Sequence, residues 1–372
     1  FADSKLFVCV NQPEAWWNDQ ERKHICEDNQ RSIHLLNEEH SIPIEVLDRS
    51  SRGNGWKGKH HGVGWARKTA MDAINKVAEP EDLIVSIDAD TFYPPEYLES
   101  LRKLFVDKPA KIAVSNPYYH KLSGDEDQDR AMLRYELYMR NYAINMMLID
   151  SPYCFTALGS AMTIPVWAYR KVGGITPHKS GEDFYFLQKL RKSGELMLYN
   201  GVKVYPSGRK SDRVFFGTGP AIIKGLQDEW DSYPIYHHKL FEDVGITYAS
   251  FERLFTKDIP TPMTGFLQAT FRKNAVWDDL RMNVSSADKF VRACITKVDA
   301  LRILQYLKME QSQLKRSDED CLTENLKYFS KRTGFDIILT SGISFQKAEI
   351  QMLDELRNDL MYLESLLQQR LA

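Results

Sequence analysis

Short apolar runs alternate with amphipathic stretches over the first two hundred or so positions of the chain. Leu6-Phe7-Val8-Cys9-Val10 reads as a strand ended by Asn11-Gln12-Pro13, and Ile44-Glu45-Val46-Leu47 as a second, ended by Asp48. Between them, Asp19 to Glu39 has helical character. A loop rich in Gly, Lys and His, Ser51 to Gly64, leads into a helix with Ala66, Ala70, Ile74 and Val77 at helical spacing. Leu83 to Asp90 is a third strand. Pro94-Pro95 then opens a helix through Tyr97, Leu98, Leu101 and Leu104, and Lys111 to Ser115 is a fourth strand. This alternation predicts an α/β fold, a doubly wound and mostly parallel sheet flanked by helices, with ligands at the carboxyl ends of the strands. Asn11, Asp48 and Asp90 fall at such ends.

Asp125 to Ile149 reads as a helix whose Met132, Tyr135, Met139 and Tyr142 belong to a core. Later the pattern becomes helical throughout. Leucines recur at Leu301, Leu304 and Leu307, and again at Leu353, Leu356, Leu360, Leu363 and Leu367. We expect one domain over residues 1–225 and a mainly helical appendage over 226–372. The last leucine stripe needs a partner, and packing on the first domain is favoured over self-association.

Charge and cysteines narrow the field. Forty-nine basic residues against 51 acidic ones give a net charge of −2, so no nucleic-acid partner is written into the totals. The five cysteines form no CxxC pair, which argues against a disulfide framework or a zinc site and for a reducing, cytoplasmic compartment. The longest uncharged run, Ser151 to Tyr169, is broken by two prolines, a glycine and hydroxyl residues, whereas a spanning helix needs ~20 mainly apolar positions, so it reads as a buried strand–turn unit.

Three segments carry chemistry. In Ile87-Asp88-Ala89-Asp90-Thr91, strand alternation would turn Asp88 and Asp90 to one face, where like charges repel unless a cation lies between them. Mg²⁺ or Mn²⁺ holding a diphosphate suits that pair. Two other readings stay open: a haloacid-dehalogenase-type phosphatase with Asp88 as nucleophile, and a merely structural acidic strand end. Ser180-Gly181-Glu182-Asp183 reads either as a helix cap or as a carboxylate offered to a crevice as general base. Tyr205 to Arg213, containing Arg209 and Arg213, suits a departing diphosphate, or is a solvated basic loop. His60-His61 and His237-His238 are more readily surface or packing residues than ligands.

Taken together, these pieces resemble the family 2 glycosyltransferases, inverting enzymes of the GT-A fold. The resemblance rests on Val8-Cys9-Val10-Asn11-Gln12-Pro13, Val46-Leu47-Asp48, Gly64-Trp65-Ala66-Arg67-Lys68, Ile87-Asp88-Ala89-Asp90-Thr91 and Gly181-Glu182-Asp183, in order, over residues 5–220. It implies that Asn11, Pro13, Asp48 and Arg67 serve the nucleotide, with Asp48 on the base. It further implies Asp88 at the ribose or metal, Asp90 on the metal, and Asp183, beside Glu182, as the base that deprotonates the acceptor hydroxyl. Arg213 and Arg209 would meet the diphosphate. The expected partners are a nucleotide-diphosphate sugar and a carbohydrate or glycolipid acceptor, with cell-envelope assembly and the inner membrane face as the implied setting. A non-catalytic sugar-binding scaffold is the third alternative. The sequence leaves the oligomeric state open.

Overall fold

In the computed structural model, residues 4–371 are described apart from 40, 200, 212–216 and 338–341. The alternating runs fold as their pattern predicts, into β1 (Leu6–Asn11), α1 (Lys23–Glu38), β2 (Ile44–Arg49), α2 (Val63–Val77), β3 (Leu83–Ser86), α3 (Tyr97–Asp107) and β4 (Ala113–Ser115). After α4 (Glu126–Leu148) come β5 (Met162–Pro165), α5 (Val166–Lys171), α6 (Glu182–Ser193), β6 (Leu196–Leu198) and α7 (Thr218–Gly225). The remaining described elements are all helices: α8 (His238–Ala249), α9 (Phe251–Leu254), α10 (Thr264–Phe271), α11 (Asp278–Asn283), α12 (Ala287–Lys297), α13 (Ala300–Gln311), α14 (Asp318–Thr333) and α15 (Ile350–Leu371). The α/β class with a helical C-terminal part is as expected.

Contacts divide the chain into two compact units, residues 1–121 with 157–223, and 122–156 with 224–372. In the first, β1 and β2 pair in parallel with Val10 opposite Asp48 and Asn11 opposite Arg49. A second sheet runs in the order β3-β5-β4-β6. Here β5 is antiparallel to both β3 and β4, while β4 and β6 are parallel. A strand in the long uncharged run is as expected; its antiparallel pairing departs from the mostly parallel sheet that strand–helix alternation predicts. Its burial explains that run: Met162, Thr163 and Ile164 are all inaccessible.

Sequence alone places α4 with the first domain. In the structure it belongs to the second unit, where it packs on α15. Between the two helices lies a buried ionic cluster. Glu136 Oε1 accepts from Arg140 and its Oε2 from Arg357, while Arg140 also reaches Glu364 at 2.6 Å. Charges this deep persist only when paired. The leucine stripe of α15, Leu353, Leu356, Leu360, Leu363 and Leu367, is buried, as its spacing predicts. Among the described residues no helix is long and apolar enough to cross a membrane.

Candidate active site

Strand β3 ends at Ser86, two residues before Asp88, so strand alternation does not set the directions of the two acids. Asp88 to Thr91 instead form a turn closed by the Thr91 N–H on the Asp88 carbonyl at 3.1 Å. The Asp88 backbone N–H donates to the Tyr93 hydroxyl, which donates in turn to the Ser160 carbonyl at 2.9 Å. The two carboxylates then take separate cationic partners, Asp88 with Arg67 and Asp90 with Arg209.

Arg67 organises the buried side of the site. It projects from the second turn of α2, whose start lies hard against the loop before α6: a Cβ on Gly64 would stand 2.1 Å from the His178 carbonyl oxygen. Only glycine permits that approach. The Arg67 guanidinium donates to Asp88 Oδ1 at 2.7 Å, to Ser86 Oγ at 3.1 Å, and to Glu182. Its face lies on Gly159, where an added Cβ would come within 2.5 Å of both terminal nitrogens. The Arg67 and Glu182 side chains are 8% and 3% exposed. Burial opposes the charge on Arg67, but Asp88, Glu182 and Asp183 outweigh it and hold the guanidinium firmly protonated.

Helix α6 starts at Glu182 after Gly181, which adopts a left-handed conformation (φ 74°) and gives no side-chain cap. Asp183 Oδ1 takes the N–H of Phe184 at 2.8 Å, and the side chain is only partly buried. Desolvation, with the nearby charge of Glu182 and then Asp88, pushes its pKa up to about 6, against the lowering influence of Arg67. A partly accessible carboxylate that gains and loses its proton near neutrality has the properties of a general base.

A second cluster lies at the ends of β1 and β2. Asn11 Oδ1 accepts from the Trp56 indole at 3.3 Å, and Pro13 bridges to Trp56. Asp48, expected on the nucleotide base, is engaged in its own loop. Its Oδ1 accepts from the backbone of Ser50 and Ser51, and its Oδ2 from Asn54 at 2.9 Å. Burial acts to raise its pKa, but the bonds from Ser51, Ser50 and Asn54 prevail and hold the carboxyl far below its ordinary value. Arg67, likewise expected on the nucleotide, is committed to Ser86, Asp88 and Glu182. Arg213 lies outside the described residues. All the other candidates, Asn11, Pro13, Asp48, Arg67, Asp88, Asp90, Glu182, Asp183 and Arg209, belong to the first unit.

Ser86, Tyr93, Gly159 and Trp56 escape the sequence reading. Only Gly159 leaves a trace, as a glycine in an otherwise apolar run. In the second unit, ring nitrogens of His237 and His238 and a carboxylate oxygen of Glu324 lie within 4.8 Å of one another. His237 Nδ1, however, accepts the Lys239 N–H at the start of α8, and Nε2 lies 2.7 Å from Glu324. Burial pushes His237 down to about 4, so the ring is neutral at pH 7 and its one proton sits on Nε2, where a metal would bind.

The family model described as Glycosyl transferase family 2 matches residues 52–162, which include Arg67, Asp88, Asp90 and Gly159. The matched segment supports a family 2 glycosyltransferase. No curated protein matches the chain. In this glycosyltransferase the match stops short of α6, so Glu182 and Asp183 are tied to the matched segment by geometry, through Arg67. The donor set at its acidic turn is hard and oxygen-only. Mg²⁺ and Mn²⁺ are typically held by one or two carboxylates completed by substrate phosphates, and Asp90 with Asp88 fits that requirement. As for the phosphatase alternative, the family match over residues 52–162 supports a glycosyltransferase instead.

Proposed function

We propose that this glycosyltransferase moves a sugar, with inversion, from a nucleotide-diphosphate donor to an acceptor hydroxyl, with Asp183 as the base. The carrying observation is the pair of properties at Asp183: partial exposure, and a pKa raised to about 6 by burial and by Glu182. The acceptor hydroxyl gives its proton to Asp183 as its oxygen bonds to the anomeric carbon. The bond from that carbon to the diphosphate oxygen breaks, and the leaving group takes the electron pair. One base suffices for a direct displacement. Arg67 does not reach the substrate in this scheme. It positions Asp88 and Glu182 and, by its charge, keeps Asp183 from titrating still higher.

Asp90, with Asp88, would hold Mg²⁺ or Mn²⁺, which supplies positive charge to the departing diphosphate. Arg209, and Arg213 from the same basic segment, add to that charge. Asn11, Pro13 and Asp48 shape the nucleotide end, with Trp56 beside them. We assign donor handling to the unit of residues 1–121 and 157–223, and acceptor choice to the helical unit of 122–156 and 224–372, with a carbohydrate or glycolipid of the cell envelope as acceptor, met at the inner membrane face.

A thermal-shift panel of nucleotide-diphosphate sugars with and without Mn²⁺ tests the reading, since a bound donor raises apparent stability by mass action. The donor that stabilises should then be consumed in an acceptor screen by the wild type and not by Asp183→Asn. Absence of any Mn²⁺-dependent stabilisation across the panel would overturn it.

A further inference from the structure

The two acids of the Asp88–Asp90 turn are neutralised in very different ways. Asp88 faces a guanidinium locked by three partners and covered on one face by Gly159. Asp90 faces an open one. Its Oδ2 accepts from Arg209 twice, from Nε at 2.8 Å and from a terminal nitrogen at 2.6 Å, and the two side chains are 40% and 52% exposed. The contact is arranged by the backbone. Phe92, two residues after Asp90, exchanges both of its main-chain hydrogen bonds with Tyr205, four residues before Arg209. The root of the basic loop is thereby fixed beside the acidic turn, while the Arg209 side chain itself remains in solvent. An exposed ion pair of this kind contributes little net stability, so its partners exchange readily.

We propose that Arg209 is an exchangeable counter-ion. It neutralises Asp90 when no donor is present and passes to the donor diphosphate when a divalent cation takes its place on the carboxylate. This rests on the reading of Asp90 as a cation ligand. Guanidinium binds phosphate at least as well as carboxylate, often in the same two-pronged way, so the diphosphate is a competent alternative partner. A consequence follows from linkage. A cation arriving alone must displace Arg209, whereas one arriving with diphosphate finds the competitor drawn away. Cation and nucleotide then strengthen each other's binding by the same factor. After transfer, departure of the diphosphate returns Arg209 to Asp90 and loosens the cation.

The test is Mn²⁺ binding followed by the EPR signal of the free ion, with and without UDP or GDP, after subtracting the Mn²⁺–nucleotide complex formed in buffer. Replacing Arg209 by Ala should raise the Mn²⁺ affinity of the nucleotide-free protein about threefold and shrink the nucleotide's enhancement of Mn²⁺ binding by a similar factor. Arg209→Lys, which keeps the charge, should stay close to wild type in nucleotide-free Mn²⁺ affinity. Asp90→Asn should remove Mn²⁺ binding in either background. If Asp90→Asn abolishes binding while Arg209→Ala leaves both affinity and enhancement unchanged, the exchange is overturned and the cation reading stands. If Asp90→Asn binds Mn²⁺ as wild type does, the cation reading itself falls, and the exchange with it.

Discussion

Arg67 meets Asp88 at 2.7 Å and also pairs with Glu182, so one guanidinium joins the turn after β3 to the first turn of α6. Those elements are almost a hundred residues apart in sequence. The carboxylate that titrates near neutrality, Asp183, follows Glu182 directly and feels the charges of both Arg67 and Asp88. The turn after β3 and the start of α6 are therefore one electrostatic unit. Its fixed point is a side chain that the resemblance assigns to the nucleotide.

Removing that fixed point should be costly. Arg67→Met leaves Glu182 buried without its partner and Asp88 without its strongest hydrogen-bond donor. Breaking a buried ion pair from one side typically costs about 3–5 kcal/mol. We expect a loss of that order in urea unfolding, with Arg67→Lys intermediate, because an ammonium cannot serve Ser86, Asp88 and Glu182 together. A variant as stable as wild type would show that the clamp is dispensable.

The raised pKa of Asp183 gives opposite signs for activity and stability. Activity needs the ionised base, so kcat/KM should rise with pH through about 6 and level off above. Stability behaves the other way. A carboxyl whose folded pKa exceeds its unfolded value, about 3.9 for Asp, favours folding fully below that lower value and loses the contribution as pH rises to about 6. Asp183→Asn should thus lower turnover by ~100-fold or more, leave donor affinity largely intact, and melt higher than wild type at pH 7.5. A lower melting temperature for this variant would contradict the desolvated setting assigned to Asp183.

Much of this was legible in the chain. Apolar runs and their polar ends locate the first four strands, because such runs require burial, and the leucine stripe marks α15 for the same reason. What was not legible is how two elements are placed. Strand β5 lies in a run that reads as a buried strand–turn unit and α4 in one that reads as a helix, but their partners are distant in sequence: Met162–Pro165 pairs with the strands on both sides, and α4 meets α15 through arginines and glutamates that a linear reading takes for surface charges. At the site, residue types singled out Asp88, Asp90, Glu182 and Asp183, which the fold places in one unit, but not which cation each would meet. That choice depends on a glycine contact at Gly64–His178 and on the Phe92–Tyr205 bridge, neither of which has a local signature.

Gly159 offers a test of the clamp that alters no charge. An alanine methyl would stand 2.5 Å from two guanidinium nitrogens that are themselves held by Asp88 and Glu182. Either the clamp or the backbone must yield. Overpacking of this kind costs about 1–3 kcal/mol. Gly159→Ala should lose that much stability, and because the displaced Arg67 no longer restrains Asp183, the acid limb of kcat/KM should move to higher pH. Unchanged stability with an unchanged pH profile would mean that the Arg67 side chain has room to relax.

Asp48 separates a loop-building role from a nucleotide-binding one. Its carboxylate gathers the backbone of Ser50 and Ser51 and the Asn54 amide, and those bonds depress its pKa despite burial. A depressed carboxyl stabilises the fold above its unfolded pKa and loses the contribution as pH falls through the folded one. Asp48→Ala should therefore be less stable than wild type by about 2 kcal/mol at pH 7, with the gap narrowing progressively below about pH 4. The loop carries Trp56 to its contact with Asn11, so nucleotide affinity should drop in the same variant. A loss of nucleotide binding with no change in stability at either pH would place the carboxylate on the base directly, and the loop bonds would then be incidental.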